Sequence, residues 1–174
     1  QPRDRQVRAV AQSLPIDHQA YLESQGWKFN PDNGHYYKFV GGRHTWESAD
    51  AQATAMGGHL ATVTNAAENN FIATQIFNSA GAPNGAWLGG SDSEAHGASE
   101  GNFAWVRGPE AGQQFWTGGQ AGSTVPGAFS KWEGMVIPAL GPEPNDNNNG
   151  GDDDYVTIGR FANQFTFDPS SWND

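Results

Sequence analysis

Thr45–Ile72 reads TWESADAQATAMGGHLATVTNAAENNFI. Thr45 suits a helix N-cap, because its hydroxyl can accept from a free amide of the first turn. Behind it Trp46, Ala49, Ala53 and Met56 recur at spacings of three and four, one face of a helix. Gly57-Gly58 stops that helix. His59–Val63 (HLATV) predicts a short buried strand. Asn65, with Glu68 after it, predicts a capping box opening a second helix that turns Phe71, Ile72 and Ile76 inward. NSAGAPNG, residues 78–85, ends it.

Upstream, GWKFNPDNGHYYKFV (26–40) predicts two short aromatic strands joined by a turn at Asn30-Pro31-Asp32-Asn33-Gly34. Residues 1–26 read as an N-terminal extension with a basic start at Arg3, Arg5 and Arg8. Its QVRAVAQSL suits a short strand or a short helix. Downstream the character changes. AWLGG (86–90), FAWV, FW, MVI and YVTI are short apolar runs between loops rich in Gly, Ser, Asn, Asp and Pro. The order predicts an α+β fold, with helices segregated from small antiparallel sheets and a long irregular half. Loops of that length are uncommon unless functional or disordered, and their aromatic and acidic content favours function.

The bulk numbers narrow the partners. The 174 residues include 7 Trp, 10 Phe and 4 Tyr, enough for one real core. Nineteen acidic residues against 9 basic ones give a net charge of −10, which argues against a nucleic-acid partner and an anionic membrane surface. No apolar run of about 18 residues exists to span a bilayer. Cys is absent, which excludes disulfides, zinc-thiolate sites and Cys nucleophiles. The chain begins at Gln1 rather than Met, which is expected of a processed protein or of an excised piece of one. The 5 His show no ligand spacing, and no G-x-S-x-G elbow is present, so nothing argues for an enzyme.

Gly141–Val156 reads GPEPNDNNNGGDDDYV, with four Asp, one Glu and four Asn before it returns to an apolar run. Carboxylates this close repel unless a cation sits among them. Calcium takes six to eight oxygen ligands from carboxylates, amides and carbonyls, and Glu143, Asn145, Asp146, Asp152, Asp153 and Asp154 are all oxygen donors. An EF-hand starting at Asp146 fails, because its closing Glu would fall on Thr157. Alone, such a run is more often a solvated loop.

In order, these segments resemble a C-type lectin-like domain over about Trp27 to Asp174. The resemblance rests on the aromatic opening strands, the helix–strand–helix stretch, AWLGGSD, EPN before an acidic cluster and YVTI, and the closing WND. It implies calcium-dependent carbohydrate binding without catalysis. Glu143, Asn145, Asp153, Asn173 and Asp174 would hold a sugar-binding calcium, with a cis peptide before Pro144. Asp92, Glu100, Asp146, Asp153 and Asp154 would surround a second calcium. Two vicinal sugar hydroxyls would complete the first ion's sphere and hydrogen-bond to Glu143, Asn145, Asp153 and Asn173. EPN goes with mannose, glucose and N-acetylglucosamine, whereas QPD goes with galactose. The resemblance also implies a secreted or cell-surface location, as in an adhesin. Trp87, Trp105, Trp132 and Trp172 fall on core positions, His59 falls near the helix junction, and Trp116 is the candidate ligand-facing ring.

Four departures support a competing reading, a structural or assembly subunit in which calcium only orders the loops. The family's disulfides are missing, which points to a bacterial or phage-like source. Asp153 stands where Glu is usual. Residues 133–142 and 159–171 lengthen the approaches to EPN and WND. The family's final strand, which follows WND, is not seen before Asp174, so either the chain was cut there or another segment fills the gap. That would leave a sheet edge for the N-terminal RQVRAVAQ, from the same chain or from a second copy.

Overall fold

The computed structural model describes residues 17–77, 85–134, 143–144, 154–159 and 168–174. Internal contacts divide the chain into two units, Gln1–Lys38 and Phe39–Asp174.

In the first unit, helix α1 (His18–Ser24) is capped by the Asp17 side chain, which accepts from the Ala20 amide at 3.3 Å. Strands β1 (Lys28–Asn30) and β2 (His35–Tyr37) form the predicted antiparallel pair, with Phe29 opposite Tyr36 and their rings 5.0 Å apart. The turn between them closes because Asn30 Oδ1 accepts from Asp32 N at 3.1 Å and Asn30 O accepts from Gly34 N at 2.8 Å.

The second unit opens on α2 (Trp46–Ala55), where the Thr45 hydroxyl caps the Ser48 amide at 3.2 Å. Trp46 is buried, with Ala49 and Ala53 packed beside it. Met56 departs from the predicted face. The helix ends at Ala55, and Met56 is the C-cap residue with its side chain exposed. The expected strand at His59–Val63 is not one. Leu60 and Val63 are buried, but the segment meets β3 through Ala61 O, which accepts from Gly89 N at 2.8 Å, rather than through a ladder. His59 is exposed, and its Nδ1 lies 2.8 Å from Leu60 O.

Helix α3 (Ala66–Phe71) is capped by Asn65 Oδ1 on the Glu68 amide at 2.9 Å. The return bond runs one residue further back than expected, from the Thr64 amide to Glu68 Oε2 at 2.8 Å. A π-helical turn (Ile72–Phe77) continues the helix and buries Ile72, Ala73, Ile76 and Phe77, while Phe71 stays half-buried.

Strand β3 (Ala86–Ser91) pairs antiparallel with β4 (Ala104–Trp105). A small hairpin of β5 (Trp116–Thr117) and β6 (Ser123–Thr124) follows. Strands β7 (Tyr155–Ile158) and β8 (Trp172–Asn173) complete a four-stranded sheet of order β4-β3-β7-β8. Gly90 is required in β3, because a Cβ there would meet Val156 Cγ2 at 2.8 Å and the rings of Phe115 and Trp105 at 3.2 Å.

Among the described residues two apolar clusters hold this unit. Trp46, Leu60 and Val106 pack together, with Trp87 and Tyr155 against them. The second centres on Trp172, which is fully buried and lies 5.6–6.0 Å, ring to ring, from Trp105, Phe115, Phe129 and Trp132. Burying roughly 200 Å² of such a side chain contributes on the order of 5 kcal/mol. Trp172 Nε1 donates to Asn69 Oδ1 at 2.8 Å, and Asn69 Nδ2 donates to Ser170 O at 2.8 Å. Trp105 and Trp172 are thus core, as expected, while Trp87 and Trp132 are half-buried against it.

The outer edge of β8 is engaged near Trp172. Trp172 N donates to Lys131 O at 2.7 Å, and Glu133 N donates to Trp172 O at 2.8 Å. That covers part of the edge expected to lie open. RQVRAVAQ (5–12), the expected partner segment, lies outside the described residues.

Candidate calcium and sugar site

The β3–β7 register sets Ser91 opposite Tyr155, so Asp92 and Asp154 leave the sheet side by side. The Asp92 amide donates to Asp154 O at 3.3 Å. Asp92 is only 3% exposed, and its Oδ2 accepts from Gly101 N at 2.9 Å. Its Oδ1 is buried without a hydrogen-bond partner among the described residues. The carboxyl is pushed up to about 7, first by burial and then by the charges of Glu100 and Asp154, against the pull of the Gly101 bond. A buried carboxylate with one oxygen left unbonded, under the charge of Glu100 and Asp154, suits a hard cation with oxygen ligands. Among the described residues no group of three His, Asp or Glu is placed to hold a metal alone. Asp146, Asp152 and Asp153, which complete the acidic loop, lie outside them.

The other expected set is linked through backbone. The Glu143–Pro144 bond is cis, and Glu143 is buried at 6% exposure. Glu143 N donates to Glu133 O at 3.1 Å, and Glu133 N donates to Trp172 O. Two backbone bonds therefore join EPN to the strand carrying Asn173. Asn173 pairs with Thr157 and, like Asp174, is half-buried. Asn145 and Asp153 lie outside the described residues. A clamp steadies the approach to β8: Lys131 Nζ pairs with Asp168 Oδ2 at 2.7 Å and bonds to the Ser170 hydroxyl, which donates to Asp168 Oδ1 at 2.6 Å. These bonds, the Lys131 side chain first, lower the Asp168 carboxyl to about 2.

Glu133 is a residue the sequence reading missed as a candidate. It is buried at 5% exposure beside Glu143 and is the hinge of the EPN–WND connection. Its only sequence signal was its place directly after Trp132. Trp116, the expected ligand-facing ring, is half-buried. Its Nε1 donates to Gly119 O at 2.8 Å, and its ring stands edge-on to Trp132 at 6.0 Å.

The Asp92 geometry gives a pH dependence with a definite sign. A carboxyl whose folded value lies near 7, above about 3.9 unfolded, stabilises the fold below pH 4 and loses that contribution as pH rises to 7. The metal-free protein is therefore expected to lose thermal stability between pH 4 and 7, with Asp92→Asn flattening that slope. Melting curves in a chelator across this range check it. An unchanged slope in Asp92→Asn contradicts it.

The C-type lectin domain family model matches residues 42–174. The chain belongs to the C-type lectin domain family. The family and its lectin members are non-catalytic. Halomucin of Haloquadratum walsbyi is 36% identical over 110 residues, covering 60% of this chain and 1% of that protein. The galactose-specific lectin nattectin of Thalassophryne nattereri is 31% identical over 102 residues, covering 59% of this chain and 60% of that lectin. The aligned part thus spans less than two thirds of each. In fold, the lectin domain is similar to the C-type lectin CEL-I of Cucumaria echinata, with a TM-score of 0.56 and 22% identity over 93% of this chain and 88% of that one. It is also similar to the mouse scavenger receptor C-type lectin carbohydrate-recognition domain, with a TM-score of 0.54 and 19% identity over 85% and 84% of the two chains. Among the described residues no helix is long and apolar enough to cross a membrane.

Proposed function

We propose that this C-type lectin domain binds carbohydrate through calcium outside the cell. The domain proper would run over 27–174, after an extension over 1–26. Glu143, Asn145, Asp153, Asn173 and Asp174 would hold the ion that carries the sugar. Asp92, Glu100, Asp146, Asp153 and Asp154 would hold a second ion that shapes the loop. Calcium supplies open coordination positions that vicinal hydroxyls fill. The protein's part is to fix the oxygens and to present amide donors and carboxylate acceptors to those hydroxyls.

The observation that carries this reading is the buried Asp92 carboxylate. One of its oxygens is held by Gly101 and the other lacks a hydrogen bond, with Glu100 and Asp154 acting on it. Leaving such a group charged without a cation is costly. The buried Glu143 and its connection through Glu133 to the WND strand support the sugar-carrying ion. The EPN motif favours mannose-type sugars. Nattectin, by its name, is galactose-specific, so retention on immobilised mannose beside immobilised galactose, with and without calcium, is the test. In the second reading calcium orders the loops alone. The lengthened stretches before EPN and WND favour it, and it predicts no retention on either sugar.

A further inference from the structure

One phenol joins three segments, two of which carry Asp92 and Asp154. Tyr155 directly follows Asp154 and opens β7. Its hydroxyl donates to Glu47 Oε1 on α2 at 2.9 Å. His96 Nε2 lies 3.2 Å from the same oxygen. A phenol has one proton, and here it goes to the carboxylate, so the imidazole nitrogen is the donor to the phenol oxygen. His96 ends a 3₁₀ turn (Glu94–His96) in the loop between Asp92 and Glu100. The hydroxyl therefore ties that loop, the strand after Asp154 and α2 to one point.

The rings hold the phenol in place. Tyr155 stacks on the buried Trp46 with ring centres 4.7 Å apart and planes at 17°. His96 packs on the same indole at 4.8 Å. Trp46 Nε1 donates to Leu88 O at 2.8 Å in β3, the strand that leads to Asp92. The Arg107 guanidinium lies 4.9 Å over the indole and holds Asp50 of α2 through two bonds of 2.6 and 2.8 Å. Removing the hydroxyl leaves this stack in place while releasing Glu47 and His96.

We propose that Tyr155 is a positioning residue for calcium bound through Asp92, its hydroxyl fixing the spacing of the two segments that carry Asp92 and Asp154. The inference rests on the calcium reading above and deepens it. Among the described residues the phenol bonds to Glu47 and His96 and to no proposed ligand oxygen. It acts by limiting the freedom of Asp154 through its chain neighbour and of the Asp92–Glu100 loop through His96. Burial, together with the bond to Glu47, raises Tyr155 to about 12, so the hydroxyl keeps its proton at any physiological pH.

The test is calorimetric titration of calcium chloride into chelator-stripped full chain at 20 °C and pH 7.5. Tyr155→Phe is expected to weaken calcium about tenfold, or about 1.4 kcal/mol. Glu47→Ala is expected to weaken it about threefold, and Glu47→Gln, which keeps the acceptor, to stay within twofold. In an Asp92→Asn background Tyr155→Phe is expected to change nothing further, which separates positioning at this site from general loosening. In NMR spectra the His96 ring resonances follow added calcium in the parent and stop doing so in Tyr155→Phe. If Tyr155→Phe does not fold, the Glu47 pair decides alone. Calcium affinity unchanged in Tyr155→Phe, or in Glu47→Ala, overturns the inference. A parent protein that takes up no calcium overturns the calcium reading itself, and this inference with it.

Discussion

Trp172→Ala lowers the melting temperature by about 10 °C or more. Truncating a fully buried Trp costs about 3–5 kcal/mol, and each kcal/mol moves Tm by about 2–4 °C in a chain of this size. Here two costs add. The cavity opens among Trp105, Phe115, Phe129 and Trp132. Asn69 Oδ1 also loses its donor while staying buried, and an orphaned acceptor costs about 1–3 kcal/mol. Trp172→Phe separates the two, because it keeps most of the ring volume and loses the indole N–H. It is expected to show an intermediate drop. Trp116→Ala, at a half-buried ring, is expected to cost far less. Thermal melts of the three variants check the order, and a Trp172→Ala shift no larger than that of Trp116→Ala contradicts the packing account.

Chelating calcium lowers the melting temperature of the parent protein by about 5–10 °C. Ligand present at a hundred times its dissociation constant stabilises by about 2.7 kcal/mol, which converts at about 2–4 °C per kcal/mol. A calcium bound there would offset what raises the Asp92 carboxyl, burial first and then the charges of Glu100 and Asp154. A reversal of sign makes this prediction sharp. In a chelator at pH 7.5, Asp92→Asn is expected to be at least as stable as the parent, since it deletes a buried charge. In calcium it is expected to be less stable, because part of the ion's contribution is lost. A variant equally stabilised by calcium would place the ion elsewhere.

What the sequence made legible was mostly local. Thr45 and Asn65 cap their helices because a cap needs only a side chain and an amide three residues on. The turn at Asn30–Gly34 closes through its own Asn and Gly. His59–Val63 looked like a strand because Leu60 and Val63 are buried, but burial does not supply a ladder, and strand pairing is decided by distant backbone. The candidate site was legible chiefly as a family pattern. Composition was only compatible with a cation in the acidic loop, and the resemblance named Asp92 and Glu100. No local rule marks Glu133, whose backbone amide reaches Trp172. None marks Tyr155 either, whose hydroxyl reaches Glu47 across 108 positions. Such contacts exist only after the sheet has set its register.

Passing the calcium-loaded protein over immobilised mannose, with immobilised galactose beside it, tests the central claim most directly. The account predicts retention on mannose alone and release by EDTA. Passage through both columns, with a melting temperature still raised by calcium, would contradict it and leave the ion a purely structural part of the loops.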